Sequence, residues 1–233
     1  MIWKHAATAL CATALLASCA ATQQARDVET SGFLGADYAL LREGEDDEAL
    51  LVYRNPGADW ASYDKVKLDP VTIWAADESA FDDFSAEDQQ ALADTFYTLI
   101  HQELSQDYEM VDELGPGVLH IQVALTEGEA SNPTLDTIST VVPIGLAVSQ
   151  TVGLATGQPT FVGDASGEAR MSDGATGELL AAAVDKRVGG KSLGGEPTDS
   201  WGDVRQAMDY WAKQLRYRLC TERGDSGCVA PEA

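Results

Sequence analysis

Histidine, cysteine and positive charge are all scarce in this chain of 233 residues. It has three histidines, four cysteines, and 15 lysines and arginines against 38 aspartates and glutamates, for a formal charge of −23. The shortage of cations excludes polyanionic partners, because nucleic acid and an anionic lipid surface would both repel such a chain. A basic partner or divalent cations would be attracted, and a salty habitat would favour the same acidic surface. So few histidines and cysteines leave no set with the spacing of a transition-metal site, and no cofactor is expected. Long apolar runs are missing too. The longest beyond the first nineteen residues is Val141–Ala155, interrupted by Ser149-Gln150-Thr151. At roughly 1.5 Å per residue its helix would reach about 22 Å, short of a hydrocarbon core about 30 Å thick. It does not span a bilayer. There is no internal repeat and no low-complexity tract, which leaves one domain of ordinary size.

What is present begins with "MIWKHAATALCATALLASC": a short basic start at Lys4 and His5, a mildly apolar run from Ala6 to Leu16, then small residues. That is the build of a secretory signal. Its end, Leu16-Ala17-Ser18-Cys19, resembles the lipobox of bacterial lipoproteins. The resemblance implies removal of residues 1–18, a diacylglyceryl group on Cys19 and acylation of the new amine. One acyl chain holds a protein marginally, and stable anchoring takes two signals; three chains would hold permanently. Ala20 stands where an aspartate would retain a lipoprotein in the inner membrane. The expected place is therefore the periplasmic face of the outer membrane. With Cys11 removed and Cys19 lipidated, Cys220 and Cys228 are left in an oxidising compartment, where "CTERGDSGC" reads as a disulfide-closed loop.

Residues 19–30 read as the lipidated cysteine and a flexible polar tether, 31–222 as one α+β domain, and 223–233 as the closed loop and tail. Within the domain, "ALLVYR" is a short strand stopped by Asn55-Pro56-Gly57. In "YDKVKLDPVTIW", Val66 and Leu68 alternate with Lys65 and Lys67, and Pro70 marks a bulge or an edge. "SAEDQQALADTFYTLIHQELSQ" places Leu92, Phe96, Leu99, Ile100 and Leu104 on one helical face, with Ser85 and Asp88 as a capping pair. "VLHIQVALTEGE" alternates as a strand with one buried face. Two strand-length runs flank "SDGATG" as a hairpin, and Ala165, Gly167 and Ala169 on its first strand point to close approach of another element. "DSWGDVRQAMDYWAKQLRYRLC" is a second amphipathic helix carrying Val204, Met208, Trp211, Leu215 and Leu219. The expected architecture is a two-layer sandwich, a mainly antiparallel sheet packed against two amphipathic helices, with an apolar helical segment inserted before the hairpin.

Three short motifs invite a catalytic or ligand reading and do not sustain it. "GDSG" at Gly224–Gly227 matches the nucleophile motif of trypsin-like proteases, but His101 and His120 lack the context of its base. "GGKS" at Gly189–Ser192 resembles the end of a phosphate loop, yet the pattern requires glycine where the chain has Asp185. The cluster of Asp77, Glu78, Asp82, Asp83, Glu87 and Asp88 has oxygen ligands for calcium but no ligand loop, and acidic residues are favoured at a helix N-terminus anyway. No catalytic residue is assigned, and the chain is read as a non-enzyme. A carboxylate-based envelope hydrolase stands as the least favoured alternative.

The segment "TVVPIGLAVSQTVGLATG" reads as a helix begun at Pro143, with Gly145, Ser149 and Gly153 as a small-residue ridge. Val141, Ile144, Val148 and Val152 form the adjoining apolar stripe, a candidate packing or docking surface. Together with "YRNPGADWASYDKVKLDPVTIW", "LATGQPTFVGDASGEARMSDGATGELLAAAVDKRVGGK" and the closing Trp-rich helix, the layout resembles the bacterial lipoprotein family called domain of unknown function 3313. That resemblance covers nearly all of the chain after the signal and implies a periplasm-facing lipoprotein without an assigned activity. The order of elements is also similar to small periplasmic lipoprotein domains such as the curli secretion channel subunit, a topological likeness that does not fix function. Two functions compete: a structural or adaptor module that binds an envelope partner, and a lipoprotein that self-assembles through residues 140–157 as a ring or bundle.

Overall fold

Alternation of large apolar and polar side chains builds the centre of a nine-stranded sheet. A computed structural model of the chain describes residues 22–75, 81, 85–129, 163–189 and 202–232. Its strands are β1 (Thr22–Gln24), β2 (Arg42–Glu43), β3 (Leu51–Arg54), β4 (Lys65–Leu68), β5 (Thr72–Ile73), β6 (Glu109–Met110), β7 (Val118–Glu129), β8 (Asp164–Asp173) and β9 (Leu179–Gly189). The sheet runs β2-β3-β9-β8-β7-β4-β6, with β1 on β9 and β5 on β7. The long strands β7, β8 and β9 pair antiparallel, as do β1, β2 and β3 with their neighbours. By contrast, β4 and β5 run parallel to β7, and β6 runs parallel to β4. A parallel pair needs a crossover connection, and α1 (Ala86–Leu104) lies in the connection from β4 to β7. The result is an α+β domain with a mostly antiparallel open sheet and two main helices, the second being α2 (Gly202–Glu222).

The capping pair is realised. Ser85 Oγ accepts from the Asp88 N–H at 3.2 Å, and the Ser85 N–H donates to Asp88 Oδ2 at 3.3 Å. Leu92, Phe96, Ile100 and Leu104 are buried along one side of α1. They meet Leu119, Ile121, Val123 and Leu125 of β7, Val66 and Leu68 of β4, and Val204, Met208 and Leu219 of α2 in one core. Arg216 ties the two helices, with Nε 2.7 Å from Asp107 Oδ2. On the other side of the sheet, Leu34 packs on Ala182 and Val184, joined by Val28, Phe33 and Tyr38. The segment around a short 3-10 helix, Gly35–Leu40, thus covers part of the second face.

Two features depart from the sequence reading, and the expected break at Pro70 is realised. Thr22–Gln24, inside the stretch read as a flexible tether, pairs with Arg187–Gly189, and Thr22 is buried. A polar strand can be held this way because backbone hydrogen bonds and a neighbour's side chains do the holding. The break at Pro70 separates β4 from β5 while both stay on β7; β6 pairs only with Lys65 and Val66, and β5 has no outer neighbour among the described residues, so the proline takes the edge position expected of it. The parallel pairings also give the sheet a mixed edge. The inserted apolar segment lies outside the described residues. Among those described, no helix is long and apolar enough to cross a membrane.

Candidate functional site

Small side chains on β8 and β9 leave a hollow beneath α2. Gly167 and Ala169 on β8, and Ala181 and Ala183 on β9, share the face that meets the helix, while Trp211 and Leu215 come down from above. A cavity of about 440 Å³ lies between them. A Cβ on residue 167 would stand 3.4 Å from the Trp211 ring, in van der Waals contact, so the indole leaves room there for no more than a small side chain. The close approach expected on this face is made at Gly167 by the Trp211 indole.

At one end of the cavity sits a buried charged pair on β9. Asp185 is 7% exposed and Arg187 is 3% exposed. A buried ion survives only when its hydrogen bonds are met, and these are. Gln24 Nε2 donates to Asp185 Oδ1 at 2.7 Å, Trp211 Nε1 donates to Oδ2 at 2.7 Å, and the Leu50 N–H donates to Oδ1 at 3.3 Å. Burial raises the Asp185 pKa above the ordinary aspartate value, and the Gln24 and Trp211 donors with the Arg187 charge only partly oppose it. The Arg187 guanidinium donates to Thr22 O at 3.1 Å and lies 3.6 Å from the centroid of the Tyr210 ring. Its burial pulls its pKa down from the ordinary value, opposed by Tyr210 and Asp185.

Ion pairs close the rim. Arg54 reaches Glu48 and Glu222, each at 3.0 Å, and Arg42 reaches Glu48 at 3.0 Å. Arg218 pairs with Asp47 at 3.0 Å, and Gln214 Nε2 donates to Asp47 O at 2.8 Å. The turn before β3 is thereby fastened to α2 across the opening. Burial works against the Glu48 carboxylate, but the Glu45 N–H and the two arginines outweigh it and hold its pKa below the ordinary value. The chamber's wall is mainly apolar and its charged side chains are paired; among the described residues lining it, no nucleophile has a base beside it.

The residues singled out from the sequence lie elsewhere. His120 is on the opposite face of the sheet, its Nε2 2.8 Å from Asp69 Oδ2, with Lys67 on the same carboxylate group and Gln122 donating at 3.1 Å. The Lys67 and His120 hydrogen bonds, with their charges, hold the Asp69 pKa below its ordinary value against the opposing effect of burial. His101 is on α1 against Tyr97. The "GDSG" residues form a turn after α2, where Asp225 pairs with Arg223 at 3.1 Å, inside a loop closed by a disulfide between Cys220 and Cys228. Asp88 caps α1, and Phe81, from the acidic cluster, is buried. Among the described residues, no group of three or more histidine, cysteine, aspartate or glutamate side chains could hold a metal. Cys19 and the Val141, Ile144, Gly145, Val148, Ser149, Val152 and Gly153 surface lie outside the described residues. Asp185 and Arg187 were passed over in the sequence, where Asp185 figured only as a mismatch to a phosphate loop. A signal existed: charges at i and i+2 share the strand parity of Ala181 and Ala183, and hence the packed face.

The family described as Protein of unknown function (DUF3313) matches residues 29–215. The chain belongs to this family. The match takes in the sheet from β2 to β9, α1, most of α2 and most of the cavity's walls, leaving out Thr22, Gln24, Arg218 and Glu222 among others. No curated protein matches the chain. Among solved structures, a PelC dodecamer from Paraburkholderia phytofirmans aligns at 10% identity and a TM-score of 0.38, covering 75% of this chain and 96% of that one. A Xanthomonas campestris protein of family DUF330 aligns at 8% identity and a TM-score of 0.42, covering 74% and 93%. Similarities this distant leave the function of this DUF3313 member to its own residues.

Proposed function

We propose that this DUF3313 protein is a lipid-anchored, non-catalytic binding module on the periplasmic face of the outer membrane. The observation that carries the reading is Leu16-Ala17-Ser18-Cys19 at the end of a short apolar leader. The anchor would bring residues 22–232 to the membrane surface as a two-layer sandwich of helices on a sheet. Its acidic surface favours a basic or neutral envelope partner over an anionic one. In cells fed a clickable fatty acid, the wild-type chain should carry label and partition with outer membranes. Cys19→Ser should lose the label and keep the unprocessed leader; equal labelling of both chains would overturn the anchor. Self-association through residues 140–157 is the alternative. It is favoured by the repeat of Gly145, Ser149 and Gly153 at every fourth position, and the size of the lipid-free protein in mild buffer decides it.

A further inference from the structure

The cavity under α2 has a shape as well as a volume. On the sheet side its wall follows β9 from Ala181 to Arg187, and on the helix side it follows α2 from Tyr210 to Glu222. Contacts pin both ends: Arg187 lies against Tyr210, while Arg54, which stands opposite Ala181, pairs with Glu222. Strand rise over six steps and helix rise over twelve both correspond to about 20 Å. The volume is about 440 Å³, so the chamber is long relative to its width. An extended alkyl chain can follow it from end to end, which a compact fused ring system cannot. The wall is mainly aliphatic and aromatic, with polar groups at its two ends and along the rim where Gln214 and Arg218 meet the turn before β3.

We infer that the cavity is a binding site for a single unbranched acyl chain, threaded between β9 and α2. The small side chains of Gly167, Ala169 and Ala183 set the bore. The chain's polar head lies at one of the two ends: beside Arg187 and Thr22, or under the ion pairs of Arg54, Glu48 and Glu222. The Asp185–Arg187 pair neutralises itself, so the inner end accepts a neutral or anionic head without requiring a counter-ion. Two sources supply such a chain. One is a free fatty acid or lysophospholipid. The other is a chain attached at Cys19, which lies three residues before Thr22 on the cavity wall. Anchoring is not needed for the site itself, because a Cys19→Ser chain keeps every residue of the wall.

The full chain carrying C19S, stripped of co-purifying lipid, is titrated with 9,10-dibromostearate while tryptophan emission is followed. Trp60 and Trp211 line the cavity, and W3F, W74F and W201F remove the other three tryptophans of the chain, of which Trp74 is exposed and packs on the other side, against Phe33. Saturable quenching at one chain per protein is expected, competed by palmitate. A183F and, independently, V52F, at the wall position on β3 that pairs with Ala183, should each weaken binding at least tenfold, with the thermal midpoint used to confirm that they fold. Absence of saturable quenching overturns the site, as does wild-type affinity in folded forms of both variants. Comparison with the membrane-extracted Cys19 chain separates the sources. A site blocked there but open in C19S contains the chain's own acyl group; a site that still binds palmitate in both takes free lipid.

Discussion

At the scale of single residues, the unusual choice is to place Asp185 and Arg187 against a helix rather than in water. Truncating one partner of such a pair leaves the other charge buried, and this pair is held by Gln24, Thr22, Trp211 and Tyr210 together. Raising the folded pKa of Asp185 means that the native protein binds this proton more tightly than the unfolded chain does. Its contribution to stability therefore falls as pH rises from the ordinary carboxylate range through the folded pKa. Asn at position 185 cannot titrate. Thermal midpoints measured from pH 4 to pH 8 should show the wild-type chain losing stability relative to D185N across that window, with a constant difference above it. Parallel curves throughout would show that the Asp185 carboxyl is not perturbed in the folded protein.

At the scale of elements, the helices owe their ends to local chemistry and their placement to the sheet. Ser85 and Asp88 satisfy the first N–H groups of α1 reciprocally. Removing an N-cap side chain costs about 1 kcal/mol, within a range of about 0.5–2. S85A should lower unfolding free energy by that amount in urea without changing the slope, and Ser85→Asp should restore most of it. A change in slope would mean that α1 docks independently of the rest. The β8–β9 hairpin has a similar local lock. Asp173 Oδ1 accepts from the N–H groups of Ala175 and Thr176 at 3.0 and 2.7 Å, and Oδ2 accepts from the Tyr63 hydroxyl at 2.9 Å. Thr176 and these neighbours hold the Asp173 pKa below its ordinary value, whereas burial and Asp173 push Tyr63 up to about 12.

At the scale of the molecule, the chain's tail is fastened to its last helix. The Cys220–Cys228 bond closes a loop of nine residues. In the chain-entropy account such a loop stabilises by roughly 2–3 kcal/mol. Replacing both cysteines by serine should lower the denaturation midpoint accordingly. The effect should vanish in a comparison made under reducing conditions; a difference that persists there would place the role of these cysteines outside the disulfide. The acidic surface acts at this scale as well. A formal charge of −23 keeps copies apart and steers the molecule away from anionic surfaces.

Much of this was readable in the linear chain because it depends on period and punctuation. The alternation of Leu119, Ile121, Val123 and Leu125, the helical spacing of Leu92, Phe96, Ile100 and Leu104, and the Ser85 cap are local patterns, and each element lies where its pattern put it. The Leu16-Ala17-Ser18-Cys19 motif is likewise read from the sequence alone. Which strands run parallel was not readable, because the direction of β4 against β7 depends on how α1 carries the chain across the sheet. Nor could the sequence show that Thr22–Gln24 is a strand, since three polar residues have no period and acquire one only from the edge of β9. The cavity belongs wholly to the tertiary structure. Glycine and alanine on β8 and β9 announced close packing, but whether a helix fills that space or bridges it depends on how far Trp211 and Leu215 hold α2 from the sheet.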